Sequence, residues 1–267
     1  MRPEPRSGPP EDGDAALAAV TERLLAAGCV AAEEEAAQFL AAAPDRQTLD
    51  AWLHRREQGE PPAWITGTTT FCGRPLHVAA GVYVPRHQTE ELARRAAALL
   101  PENGRALDLC TGTGAVAAHL RARVPTASVV GIDRDQMAAA CARRNGVAVL
   151  VGDLDAPLGG GVRFDVVTAV APYVPTDQVR FLPADVRRYE PLLAHDGGED
   201  GLRLVRRVVT AAASLLRAGD WLLIEVGGEQ DQSLAATLAA HGFDRLTPWW
   251  DDDGDLRGIA CRAAGAR

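Results

Sequence analysis

Arg105-Ala-Leu-Asp-Leu-Cys-Thr-Gly-Thr-Gly-Ala-Val-Ala117 is the stretch on which the fold turns. Arg105–Leu109 is an apolar run of strand type, Cys110 to Gly114 is a glycine-rich turn, and Ala115–Arg123 reads as a helix. Glycines at such a junction let the backbone approach a ligand, and the helix start presents free N–H groups to it. Gly112-Thr-Gly114-Ala-Val-Ala117 alone also fits the dinucleotide fingerprint, so the turn does not by itself separate nicotinamide chemistry from other nucleoside cofactors.

Working outward, strands and helices alternate. Ser128–Ile132 is a second strand followed by helix Gln136–Arg144; Val147–Val151 and Phe164–Val170 are the third and fourth strands. Leu202–Leu216 is a long helix, Trp221–Val226 a fifth strand and Gln230–His241 a helix, with two terminal strands near Phe243–Trp249 and Leu256–Arg262. Such alternation predicts an α/β fold with a doubly wound, mostly parallel sheet. Asp133 ends the second strand, nineteen positions after Gly114, where a carboxylate accepts ribose hydroxyls. Asp153, followed by Leu154, ends the third, where a carboxylate either faces an adenine amino group or caps its own loop. The acidic Asp108 before the glycines, and Ala171-Pro172-Tyr173 after the fourth strand, favour a methyltransferase binding S-adenosylmethionine over a nicotinamide enzyme.

Before residue 85 the texture differs. Residues 1–13 are rich in Pro, Gly and acids and read as a disordered tail without a signal-peptide pattern. Residues 14–62 read as a helical domain: Asp14 caps Ala15–Ala26, Ala32–Ala42 follows, and Thr48–Arg56 ends before Gly59. Residues 63–84 read as a β-hairpin linker, and 85–267 as the sheet domain.

Composition bounds the function. Hydrophobic residues make up 47%, enough for a core, and no run has the length of a membrane span. Net charge is −8, and all 28 basic residues are arginines without a cluster, which argues against nucleic acid as a partner. The five cysteines show no C-x-x-C pair, so neither a disulfide framework nor a metal site is expected. The chain is expected in the cytoplasm. Trp249, Trp250 and Phe181 read as packing residues, Cys110 as a small core residue, and Asp251–Asp253 as a solvated turn.

Several segments, in order, resemble the protein-(glutamine-N5) methyltransferases that modify peptide chain release factors. Gly59-Glu-Pro-Pro-Ala-Trp-Ile-Thr-Gly67 with Phe71-Cys-Gly73 resembles that family's hairpin entry, and Val84-Pro-Arg-His-Gln-Thr-Glu90 its I-P-R-P-E-T-E segment. Asp108–Gly114 resembles D-L-G-T-G-T-G, and Glu190-Pro191 with Gly197–Leu202 resembles E-P…G-G-x-D-G-L. Glu225–Gln230 resembles E-I-G-x-x-Q, Asp251–Arg257 resembles D-x-x-G-x-x-R, and Ala171–Thr176 resembles a divergent subfamily's A-P-Y-V-P-T.

The resemblance implies a seven-stranded Rossmann-like sheet, S-adenosylmethionine as cofactor and a release-factor glutamine as acceptor. It implies cofactor contacts from Asp108, Thr111, Gly112, Thr113, Gly114, Asp133, Asp153, Leu154 and Val170. It implies chemistry at Val170, Ala171, Pro172 and Tyr173, and acceptor contacts from Phe71, Pro85, Arg86 and Tyr173. Three positions depart from the pattern: Cys110 replaces a glycine, Gln88 a glutamate, and Val170 the asparagine of Asn-Pro-Pro-Tyr. The family's asparagine accepts an amide hydrogen of the acceptor, and losing such a partner costs about 3–4 kcal/mol in the barrier. Weak glutamine methylation is therefore expected, with a small-molecule acceptor or a non-catalytic relative as alternatives.

Overall fold

The computed structural model describes residues 11–264, so ten of the thirteen residues of the expected tail lie outside it. The chain divides after Thr66 into two units.

The first unit is helical: α1 Glu11–Ala26, α2 Ala32–Ala42, α3 Arg46–Glu57 and the short α4 Pro62–Thr66. Leu24, Ala36, Phe39, Leu53 and Ile65 form its buried core. Helix α1 begins at Glu11, ahead of the expected cap at Asp14. Asp45 caps α3 by accepting the N–H of Thr48 at 2.7 Å, so the helix starts two residues earlier than composition indicated. Arg56 pairs with Glu35 at 2.6 Å in a nearly buried ion pair. Helical structure thus runs to Thr66, past the expected boundary at residue 62.

The second unit opens with a hairpin, β1 Thr68–Phe71 and β2 Arg74–His77. Its two-residue turn places Cys72 and Gly73 at positive φ, +49° and +71°, which matches the twist of the flanking strands. The hairpin is shorter than the 63–84 segment expected, because Val78 to Gln88 is irregular up to α5 Thr89–Leu99. Thr89 does not cap that helix; its hydroxyl donates instead to Glu225 at 2.7 Å.

The sheet then builds through β3 Arg105–Leu109, α6 Ala115–Arg123, β4 Ser128–Asp133, α7 Gln136–Arg144, β5 Ala148–Val151 and β6 Phe164–Ala169. After β6 the chain forms the short α8 Ala184–Tyr189 and α9 Arg203–Leu215. It closes with β7 Leu216–Ile224, α10 Gln230–Ala240, β8 Phe243–Trp250 and β9 Leu256–Ala263. Strand order is β5-β4-β3-β6-β7-β9-β8, parallel except for β9, which runs antiparallel to β7 and β8. The architecture is the seven-stranded Rossmann-like sheet. Strand β7 starts five residues earlier than expected, directly where α9 ends, and Val226 lies beyond it.

Leu107, Val166, Val167, Leu222 and Leu223 are fully buried in the central strands, as a sheet covered on both faces requires. The chain leaves β3 toward β4 on one side and later returns to β6 on the other. That reversal opens a crevice at the carboxyl ends of β3, β4 and β6. Among the described residues, no helix is long and apolar enough to cross a membrane.

Candidate active site

The turn after β3 is held by its own threonines. Thr111 donates its hydroxyl to Asp108 at 2.6 Å, and Thr168 on β6 donates to the other carboxylate oxygen at 2.7 Å. Asp108 is buried, and burial pushes its carboxyl up to about 6 against the lowering effect of these hydrogen bonds. Asp108 and Thr111 therefore brace the turn from inside, Thr113 is buried with its carbonyl accepting from Asn145, and none of the three lines the crevice. Gly114 has a packing reason as well: a Cβ there would stand 2.9 Å from the Cβ of Ala142 on α7. Cys110 and Gly112 differ from these. Both have φ of +56° and both face the crevice, which explains why glycine suits either position. Cys110 is half-buried on the cavity wall with its other side packed against the core, and burial pushes its thiol up.

The crevice is a cavity of about 690 Å³. At one end lies Asp133, at the tip of β4. Its carboxylate accepts the N–H of Gly112 at 2.8 Å on one oxygen and that of Asp135 at 2.9 Å on the other. Burial raises its pKa. Gly112 has open space where a Cβ would stand. At the other end lie Val170, Ala171, Pro172 and Tyr173, with Tyr83, Arg86 and His195.

Not every residue expected at the site reaches it. Asp153 is half-exposed, pairs with Arg207 at 2.8 Å and does not line the cavity. Leu154 is buried in the core, held at φ +51°. Phe71 is buried against the α5 and α6 side of the sheet, because the hairpin turns it inward, and Pro85 also lies off the wall. Phe181 and Trp250 are exposed at 74% and 55%, whereas Trp249 packs in the core as expected. Asp251 organises a turn, accepting the N–H groups of Asp253 and Asp255 and pairing with Arg257.

The remaining motif segments gather around Pro172-Tyr173. The Tyr173 hydroxyl donates to Glu225 at 3.1 Å, and Gln230 donates its amide to the Tyr173 carbonyl at 2.8 Å. Burial raises the pKa of Glu225 and of Tyr173. A Cβ at Gly201 would stand 2.2 Å from the Tyr173 carbonyl oxygen, and one at Gly197 would stand 2.7 Å from that of Pro172. The glycines of Gly197–Leu202 thus let that loop lie directly on the Pro-Tyr backbone.

Beneath it, Glu190 is nearly sealed from solvent and accepts from Arg86 at 2.6 Å. Its other oxygen meets His195 Nε2 at 3.0 Å. The ring of Tyr83 stands edge-on to His195, with centroids 5.4 Å apart. Tyr83 and His195 were missed from sequence, since neither has a local pattern; only the pairing of residues 195–197 with Val174 brings His195 to the wall.

A methyltransferase-domain family model matches residues 106–191. The release factor glutamine methyltransferase of Geobacter sulfurreducens is 38% identical over 195 residues, covering 71% of this chain and 68% of the relative. That of Vibrio cholerae is 34% identical over 261 residues, covering 87% and 90%. Among solved structures, the ribosomal protein L11 methylase of Lactobacillus delbrueckii superposes with a TM-score of 0.52 at 16% identity, over 70% of this chain and 84% of that one. The last likeness concerns the fold alone. The two sequence relatives extend over most of both chains, and on that ground the chain, an S-adenosylmethionine-dependent methyltransferase, belongs to the release factor glutamine methyltransferase family.

Proposed function

We propose that the chain transfers a methyl group from S-adenosylmethionine to the side-chain amide nitrogen of a glutamine in a peptide chain release factor. The observation that carries this reading is a single cavity lined by Asp133 and Gly112 at one end and by Pro172 and Tyr173 at the other. Both ends lie after Gly67, in what we take as the methyltransferase domain.

The cofactor end suits the group. Two backbone N–H bonds fix the plane of the Asp133 carboxylate, and its remaining lone pairs match a pair of ribose hydroxyls. The open face of Gly112 admits a ligand against the backbone. When bound, the cofactor supplies a methyl group already activated by its sulfonium. We assign Asp133, Gly112 and Cys110 to contact. Asp108, Thr111, Thr113 and Gly114 support the turn, and Asp153 and Leu154 stand outside the contacting set.

At the acceptor end the task is orientation. An amide nitrogen is a weak nucleophile because its lone pair is delocalised into the carbonyl. Backbone carbonyls of the Val170–Pro172 segment accept amide hydrogens, and the Tyr173 ring, fixed through Glu225 and Gln230, stacks on the planar amide. Arg86 closes the wall of the acceptor end. The relatives' names support a release factor as the protein acceptor.

The test is transfer of labelled methyl from S-adenosylmethionine to a purified, unmethylated bacterial release factor. Label in the release factor is expected; label reaching only small molecules, or nothing, overturns the reading.

A further inference from the structure

Val170 offers the acceptor amide no side-chain hydrogen-bond partner, yet it shares its cavity with an imidazole aimed by a buried acid. His195 is 8% exposed, and its Nε2 lies 3.0 Å from Glu190 Oε2. Glu190 is also bound by Arg86 at 2.6 Å, and its side chain is 1% exposed. A carboxylate receiving a guanidinium N–H is an acceptor, so the Nε2 facing it carries the hydrogen. Nδ1 of the neutral ring then bears a lone pair, and among the described residues it makes no hydrogen bond. The ring cannot swing freely, since Tyr83 packs on its edge. Its backbone is tied to the Pro-Tyr segment as well: Val174 N–H donates to the His195 carbonyl at 3.0 Å, and Gly197 N–H donates to the Val174 carbonyl at 2.9 Å. A base oriented by a third group, beside the segment where the acceptor is read, is the geometry of general-base catalysis.

We propose that His195 is a catalytic residue: its Nδ1 accepts an N–H of the acceptor amide and takes that proton as the methyl group transfers. The proposal rests on the amide-methylation reading above. The amide nitrogen forms a bond to the methyl carbon, the carbon–sulfur bond breaks, and its electron pair stays on sulfur as a neutral thioether. The nitrogen's excess positive charge leaves as a proton to Nδ1. The resulting imidazolium is held by Glu190, which also pairs with Arg86, and the proton later passes to water. His195 thereby supplies from the loop after Glu190-Pro191 the partner that residue 170 lacks.

The experiment is a swap, read by steady-state methylation of unmethylated release factor and by calorimetry with S-adenosylhomocysteine. His195→Leu should lower kcat about 100-fold, in the range of general-base losses, with KM little changed. Its affinity for S-adenosylhomocysteine should match wild type, which shows that the variant folds and keeps the cofactor end. Adding Val170→Asn to His195→Leu should recover at least about tenfold, a coupling that independent sites do not show. In ¹⁵N-histidine spectra, release factor should shift the Nδ1 signal of one histidine, and that signal should be absent in His195→Leu. Wild-type turnover with a fully active His195→Leu, or a loss that Val170→Asn does not recover, overturns this proposal alone. A wild type that methylates no release-factor glutamine overturns the functional reading and this proposal with it.

Discussion

The two ends of the cavity are built in opposite ways. The cofactor end is a local structure: Asp108 to Gly114 folds on itself, and one carboxylate from the next strand completes it. The acceptor end gathers side chains from the segment before α5, the tip of β6, the loop after α8 and the end of β7, none contiguous with another. A local turn tolerates little change but is easy to read. A gathered site depends on how loops lie on one another, and there a single replacement such as Val170 has room to be answered from elsewhere in the chain.

This difference is open to test. The largest effect is expected at Asp133→Ala. It removes the carboxylate that we propose accepts two ribose hydroxyls and releases the N–H of Gly112, so S-adenosylhomocysteine affinity should fall by about 100-fold or more. Calorimetry checks it, and a drop below tenfold would mean the cofactor lies elsewhere. Gly201→Ala should strike the other end. The new Cβ meets the Tyr173 carbonyl at 2.2 Å and sits at φ +74°, so the Pro-Tyr backbone must move. A loss of kcat of about 100-fold is expected for a misplacement of this kind, with cofactor affinity within about twofold of wild type. Equal damage to both quantities would show that the two ends are one mechanical unit.

A smaller effect concerns stability. Asp108 is held at about 6 against an ordinary 3.8, so folding favours its protonated form. That contribution is complete below pH 3.8 and is lost as pH rises through 6. Asp108→Asn should remove this loss, on the order of 2–3 kcal/mol at neutral pH, and flatten the unfolding free energy between these pH values relative to wild type. Denaturant titrations at pH 4 and pH 7 decide it: an unchanged difference between the two would show that Asp108 is ionised at no cost. The smallest effect is expected at Asp153→Ala. Its pair with Arg207 is half-exposed, so stability should change by less than about 0.5 kcal/mol. Cofactor affinity should change less than about twofold, and a larger fall would return Asp153 to the contacting set.

The sheet was legible in sequence because its strands are short apolar runs with glycine turns at fixed offsets, and the place of Asp133 at the end of β4 followed from spacing. Elements failed where tertiary contacts decided. Composition made Leu216 the end of a helix, but pairing with Phe164 draws it into β7. Phe71 resembled an acceptor contact, but hairpin register points it into the core. Asp108 looked like a ligand group because of its position; Thr111 and Thr168 turn it into a buried brace. His195 carried no signal, since the pairing that places it spans residues 174 and 195 and depends on two glycines accommodating a close approach.

The central claim is that this cavity brings a glutamine amide to an activated methyl group. Peptide-mapping mass spectrometry of release factor treated with the wild-type chain and S-adenosylmethionine tests it most directly. One added methyl group on a single glutamine side chain is the result expected. A methyl group on any other residue type, or an unmodified release factor in the presence of bound cofactor, would contradict it.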